Sequence, residues 1–307
     1  MSKYFDNTEI TIEVTNKCAA KCVMCPREKM KNDLEVMPQA LFEKIVTEAF
    51  DLGVELLDLC GYGDVFLDRG LFDKISFAKK LKPDCKVFIS TTGNAMIPRY
   101  HEKIAELVDI LKFSIYASSP GLYEKMMGGL DYEKSIGNIL RFIEFNRNNG
   151  QKVYTIGNYI LMDENAHEMD AWLSHWEPML NEVYVWKPHN YVDGRTYRNI
   201  EGKQKRTCNR PIKGPLNVAV NGIAHVCCFD YNKELAVGDL KSESIAEVMN
   251  SDELHRIQQK HLAGDFSGLI CDICDQTVKD DSVLIYHSNP NRKVGMSNSS
   301  LYDYEQQ

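Results

Sequence analysis

The chain has 307 residues, 44% of them apolar, enough for one large domain or for one domain and a smaller module. A net charge of −8 with no basic block argues against a nucleic acid or an anionic membrane as partner. No apolar run approaches a membrane span and Met1–Asp6 has no signal-peptide core, so the expected setting is cytoplasmic, where ten cysteines point to metal ligation rather than disulfides.

From the N-terminus, the strand-like stretch Ile10–Thr15 runs into a loop holding Cys18, Cys22 and Cys25. Three thiolates in one short loop are soft ligands that select zinc or an iron–sulfur cluster. A closed structural zinc site takes four ligands, and no nearby His or Cys completes this set. Three thiolates on a four-iron cube leave one iron open for a small molecule. The bland alternative is zinc, or three unrelated buried thiols.

Helix Pro38–Phe50 comes next, with Pro38 where a first helical turn tolerates proline. Strand Val54–Cys60 leads into Gly61-Tyr62-Gly63-Asp64, whose glycines let backbone approach a ligand and whose Asp64 can orient an ammonium. A lone Gly-x-Gly is equally a simple turn. Helix Leu71–Leu81 precedes strand Lys86–Thr91, which ends in Ser90-Thr91-Thr92-Gly93-Asn94. Helix Pro98–Val108, strand Ile110–Tyr116 with Ser114, and helix Tyr132–Asn148 follow. Strand Lys152–Leu161 with Gly157, helix Asn165–Leu180 and strand Glu182–Trp186 complete the series. Asp131 and Asn165 are plausible helix caps, and apolar residues recur three and four apart, as at Ile136, Leu140 and Ile143. Hydroxyls at strand ends either bind a ribose or cap the next helix. Repeated β-then-α units predict an α/β fold with a parallel sheet and right-handed crossovers, three-quarters of a (β/α)8 TIM-like barrel. The chemistry of such a barrel sits at the C-terminal strand ends.

Composition changes after Trp186. Lys187–Arg206 is polar and loop-like; within it His189 is a candidate base, and His189, Asn190 and Asp193 suit a polyol, although a solvated loop reads the same way. Cys208, Cys227, Cys271 and Cys274 form a second group, with Cys228 beside Cys227. The Asn221-Gly222 pair between apolar-containing runs predicts a hairpin that returns Cys227 towards Cys208. Val237–Leu240 and a helix over Ile245–Leu262 then lead to Cys271-Asp272-Ile273-Cys274. On ligand count, a four-cysteine zinc ribbon and an iron–sulfur cluster are equally good. Cys60 and Cys228 can each donate a hydrogen atom, though Cys60 also fits an ordinary buried strand position, and Cys85 reads as structural. Beyond Asp275 the chain drifts into a polar tail containing Ser288–Asn291 and Ser297–Ser300. The expected division is 1–190, 191–280 and a tail over 281–307.

The C-x3-C-x2-C spacing of Cys18, Cys22 and Cys25 resembles that of the radical S-adenosylmethionine (SAM) enzymes. The resemblance implies an open partial (β/α)6 barrel and a 4Fe–4S cluster whose open iron chelates the amine and carboxylate of SAM. Gly61, Tyr62, Gly63 and Asp64 stand where that family carries a Gly-Gly-Glu-Pro-like motif receiving the SAM amino group, with Tyr62, Asp64 and Val65 departing from it. Thr91, Thr92 and Asn94 match its polar strand-three cluster, and Ser114 its ribose-contacting serine. Gly157 and Met24 match positions beside adenine. The order of hairpin, cysteine, Asp230-Tyr231-Asn232, Val-Gly-Asp, helix and Cys-x2-Cys resembles the SPASM and twitch extensions, as in 2-deoxy-scyllo-inosamine dehydrogenase-like enzymes. It implies an auxiliary 4Fe–4S cluster on Cys208, Cys227, Cys271 and Cys274, and Arg195 beside a substrate hydroxyl; the spacing to Gly238 favours Cys227 over Cys228 as ligand.

Enzymes of this kind cleave SAM reductively to a 5′-deoxyadenosyl radical, with electrons from a flavodoxin- or ferredoxin-like donor. The radical abstracts hydrogen from a substrate, here expected to be a small polar molecule such as a sugar, cyclitol or aminoglycoside. Dehydrogenation of an alcohol or epimerisation follows. A peptide maturase with the same domains is the alternative, against which the first cysteine at position 18 argues by leaving no room for an N-terminal recognition domain. A zinc-binding adaptor without catalysis is the third reading.

Overall fold

Period-two alternation along six strands builds a curved sheet with a helical layer outside and a half-open lumen inside. The structure, a computed structural model, describes residues 8–278 and 283–289. In chain order it forms β1 (Glu9–Ile12), β2 (Lys21–Cys22), α1 (Gln39–Asp51), β3 (Leu56–Asp58), α2 (Leu71–Leu81), β4 (Lys86–Thr91) and α3 (His101–Leu107). Next come β5 (Ile110–Ser114), α4 (Pro120–Met126), β6 (Met127–Gly128), α5 (Tyr132–Asn148), β7 (Tyr154–Ile160), α6 (Met169–Trp176) and β8 (Glu182–Trp186). The C-terminal part supplies α7 (Arg210–Lys213), β9 (Leu216–Val218), β10 (Ile223–His225), β11 (Ala236–Asp239), α8 (Ile245–Met249), α9 (Asp252–Ala263) and β12 (Leu284–His287).

The strands β1, β3, β4, β5, β7 and β8 pair in parallel in that order, giving the partial barrel expected from the β-then-α rhythm. Outward residues such as Ile12, Leu57, Ile89 and Phe113 pack against Ile45, Ile75, Ile104 and Phe142 of the helices. Inward residues Leu56, Phe88, Ile110, Ile156 and Tyr184 form a second, smaller core inside the barrel. Two residues further along four of these strands, the same face turns polar: Asp58 follows Leu56, Ser90 follows Phe88, Lys112 follows Ile110 and Asn158 follows Ile156. This switch separates a dry floor from a polar cavity at the C-terminal strand ends.

The C-terminal segment joins this sheet at both edges. β9 pairs in parallel with β1, and the β9–β10 hairpin turns at Gly222, whose φ of +86° suits glycine. β12 pairs antiparallel with β8, so both barrel edges are covered by later chain. The strand at β12 corrects the expectation of a wholly polar tail: Leu284 and Tyr286 carry its pairing with Trp186 and Val185. Ser297–Ser300 and Met1–Asp6 lie outside the described residues. The single helix expected over Ile245–Leu262 is two, because the Ser251 hydroxyl accepts the Leu254 N–H and caps a new start. Asn165 does not cap α6; its side chain binds Met162 N–H and the carbonyls of Tyr116 and Ile160. No helix among the described residues is long and apolar enough to cross a membrane.

Beside the barrel, Lys74 on α2 pairs with Asp68 at 2.7 Å, both side chains essentially buried. Asp68 also accepts the Gly70 N–H at 2.8 Å. Lys74→Met strands a buried carboxylate and is expected to cost about 3–5 kcal/mol. Urea denaturation would show it, and an unchanged midpoint would mean that this pair is not buried as described.

Candidate active site

The chain leaving β1 carries Cys18, Cys22 and Cys25 onto the wall of a cavity of 330 Å³ at the strand ends. Their loop is held from below by an element that the sequence reading missed. β2 pairs antiparallel with β6, Cys22 facing Met127, and Val23 N–H donates to Met126 O at 3.0 Å. Gly129, at a φ of +84°, lets this support approach so closely that a Cβ there would sit 2.9 Å from Ala19 O. The Arg27 guanidinium, also missed, donates to Ala20 O at 2.8 Å. Burial raises all three thiols, Cys18 to about 11, while Arg27 pulls each one back down. A metal group binding there therefore displaces protons.

The donor set fits a multinuclear cluster better than one ion. Sulfurs on tetrahedral zinc lie about 3.8 Å apart, given Zn–S bonds of about 2.3 Å. Among the described residues, the ligand group whose donor atoms all lie within 4.8 Å of one another is His189, Cys274 and Asp275, and the three loop cysteines do not form one.

Gly61-Tyr62-Gly63-Asp64 forms the neighbouring wall of the same cavity. Both glycines are demanded by the chain leaving β1: a Cβ on Gly61 would lie 2.4 Å from Glu13 Cγ, and one on Gly63 2.1 Å from Thr15 O. Buried Glu13 accepts the N–H groups of Tyr62 at 2.8 Å and Val220 at 3.2 Å. The Tyr62 hydroxyl donates to Cys228 O at 2.8 Å, so the tyrosine ties this loop to the second cysteine group. Asp64 is engaged otherwise than expected. Its carboxylate accepts from Thr91 Oγ1 at 2.9 Å, Thr92 Oγ1 at 2.8 Å, Thr92 N at 3.0 Å and Phe66 N at 3.2 Å. It braces the end of β4 instead of standing free for an ammonium.

Met24, Thr91, Thr92 and Ser114 line the cavity, but two of the expected contacts do not. Gly157 faces the helical layer, where a Cβ would meet Leu180 at 2.8 Å and Trp172 at 3.2 Å; its neighbour Asn158 faces inward. Asn94 is off the cavity wall, with its carbonyl 3.4 Å from Asn138 Nδ2. The polar floor, Asp58, Ser90, Lys112 and Asn158, was not singled out from sequence. A lone charge inside an apolar strand, as in Leu56-Leu57-Asp58-Leu59 or Ile110-Leu111-Lys112-Phe113, is the signal that finds it.

In the C-terminal part, the structure gathers Cys208, Cys227, Cys271 and Cys274 so that each thiol feels its neighbours' charge. Burial is the main cause that lifts the thiols of Cys227, Cys271 and Cys274, Cys271 to about 12. Cys271 Sγ lies 3.4 Å from His261 Nε2, and Cys274 Sγ lies 3.5 Å from His189 Nε2. Cys60 and Cys228 both face the main cavity.

His189 and Arg195 differ from their expected roles. His189 Nδ1 accepts the Tyr191 N–H at 2.6 Å, which puts the ring proton on Nε2, 3.1 Å from Asp275 Oδ1. The ring stacks on Phe229 at 3.7 Å, and burial with the Arg210 charge lowers its basicity. With both nitrogens engaged, it orients Asp275 and Cys274 and is no free base. Arg195 forks onto Asp193, Nε at 2.9 Å and Nη2 at 2.6 Å, and donates to Val23 O at 3.0 Å. It clamps the cysteine loop from outside the cavity wall.

A parallel half-barrel with a thiol trio at its strand ends, and a cysteine-bearing extension on its first edge, defines a cluster-carrying barrel enzyme. The chain belongs to the radical SAM superfamily: that family's profile matches residues 12–174, and the iron–sulfur cluster-binding SPASM domain matches 195–275. It carries a SAM-binding 4Fe–4S cluster and an auxiliary iron–sulfur cluster accordingly. Among curated proteins no significant match was found. Among solved structures, the fold is similar to BtrN in complex with AdoMet and 2-DOIA, at 16% identity and a TM-score of 0.64, covering 90% of this chain and 94% of that chain. It is similar to Streptococcus suis SuiB bound to the precursor peptide SuiA, at 14% identity and 0.65, covering 89% and 70%. AdoMet-bound anSMEcpe matches at 12% and 0.55, covering 97% and 96%.

Proposed function

We propose that this radical SAM enzyme oxidises a hydroxyl-bearing carbon of a small polar molecule, such as a sugar, cyclitol or aminoglycoside. The observation carrying the reading is the polar floor. Asp58, Ser90, Lys112 and Asn158 face the same cavity as Cys18, Cys22 and Cys25, so a few charged and amide groups converge beside the SAM-binding cluster's place, as a polar ligand requires. BtrN, whose bound 2-DOIA is a small molecule, supports it.

Cys18, Cys22 and Cys25 would hold the SAM-binding cluster, and Cys208, Cys227, Cys271 and Cys274 the auxiliary one. SAM on the first cluster supplies the radical that abstracts hydrogen. The chain's own task is placement. Lys112 and Asn158 hold substrate hydroxyls on the floor; once hydrogen is abstracted, Asp58, within the field of Lys112, takes the hydroxyl proton and the auxiliary cluster would accept the remaining electron as a carbonyl forms. The apolar floor below, with Phe88 and Ile156 fully buried, keeps water out. A flavodoxin- or ferredoxin-like donor would reduce the first cluster. The ten free cysteines fit a cytoplasmic setting.

Epimerisation is the second reading, favoured by the thiols of Cys60 and Cys228 on the cavity wall. Anaerobic incubation with SAM, reductant and candidate cyclitols or peptides separates the readings. Loss of two hydrogens from a cyclitol means oxidation; unchanged mass with solvent deuterium uptake means epimerisation. A modified peptide with no turnover of any cyclitol would overturn the small-molecule proposal.

A further inference from the structure

We infer that Arg210 is the residue that sets the potential of the auxiliary cluster, a permanent cation between the second cysteine set and the substrate cavity that favours the electron-rich state. The inference deepens the reading above, in which the auxiliary cluster serves as electron acceptor, and rests on it for its significance to turnover.

Arg210 stands two residues after Cys208, at the start of α7, and is only 5% exposed. Its guanidinium nitrogens are buried, and the hydrogen-bonding neighbour they have is the Cys228 side chain. The groups whose electrostatics act on it most are the thiols of Cys228, Cys208, Cys227 and Cys274. The guanidinium lies over the Phe229 ring at 4.5 Å, and the same ring stacks on His189. Asn209, at a φ of +61°, and Gly214, where a Cβ would lie 2.6 Å from Arg210 O, fix the backbone on both sides. The side chain is therefore held in place by packing and by its thiol neighbours.

A buried guanidinium cannot shed its proton, and without an anion it is strongly unfavourable. A cube bound by four thiolates is anionic and would supply that countercharge, with sulfurs that accept hydrogen bonds. Adding an electron to such a cube increases its negative charge, which a fixed neighbouring cation stabilises, so the potential rises. Nearby Arg198 does not substitute for this charge, because it is matched by Asp275 at 2.8 Å. Arg210 also borders the main cavity, so the same cation faces the side from which an electron arrives.

The test uses a full-length chain carrying Cys18→Ala, Cys22→Ala and Cys25→Ala, so that only the auxiliary cluster is seen. Its midpoint is followed by electron paramagnetic resonance during a redox titration, with Arg210, Arg210→Gln or Arg210→Lys. The Gln variant is expected at a more negative midpoint, with the Lys variant close to the parent. An unchanged midpoint in Gln, or an equal shift in Gln and Lys, overturns the proposal. Should Gln load no iron, retention of iron by Lys supports a charge requirement, and loss from both overturns it. A failure of small-molecule turnover in the parent enzyme sinks the functional reading while leaving this measurement intact.

Discussion

Cys22→Ala is expected to release no 5′-deoxyadenosine from SAM above background, and to lose the iron of one cluster while keeping that of the other. Cys22 is the middle ligand of the trio and the one anchored in β2, opposite Met127. The remaining thiols on the cavity, Cys60 and Cys228, belong to the end of β3 and the turn after β10, so neither can take its place without rebuilding the wall. Chromatography of the nucleoside product and iron analysis measure both effects. Release of 5′-deoxyadenosine at the parent rate would show that the trio does not hold the SAM-binding cluster.

Cys271→Ala is expected to separate SAM cleavage from substrate oxidation. Cys271 is buried between His261 and the other thiols of the second group, remote in sequence from the trio's loop. Its loss removes one of four ligands from the auxiliary set and leaves Cys18, Cys22 and Cys25 with their supports. Nucleoside release should persist at a reduced rate while the oxidised product falls to background. If oxidised product still accumulates in step with 5′-deoxyadenosine, the second cysteine group is not the electron acceptor.

Much of the barrel is local information. Strands Lys86–Thr91 and Glu182–Trp186 and helices Leu71–Leu81 and Tyr132–Asn148 run as their periodicity predicts, because each carries a complete apolar face bounded by turn residues. The elements that escaped are short or depend on distant partners. α4 is only seven residues long, beginning at Pro120, β6 exists only through its pairing with the cysteine loop, and β12 only through β8. Two- and four-residue strands have no periodicity to read.

The site divides along the same line. The cysteine spacings and the Gly-x-Gly after the second barrel strand were legible because they are contiguous, and close approach to Glu13 and Thr15 explains why glycine is needed at both positions. The roles of Asp64, His189 and Arg195 were not legible, since each depends on which partner reaches it: Thr91 and Thr92, Asp275, and Asp193 respectively. Taken alone, the sequence determined the class of barrel, the two thiol groups and the kind of metal centre they can hold, because ligand chemistry and strand periodicity are carried by neighbouring residues. Only the tertiary structure decided that Asp58 and Lys112 make a polar floor and that Arg210 lies buried among thiols. Those facts depend on sheet curvature and on a hairpin returning to β1, which bring together residues far apart in the chain.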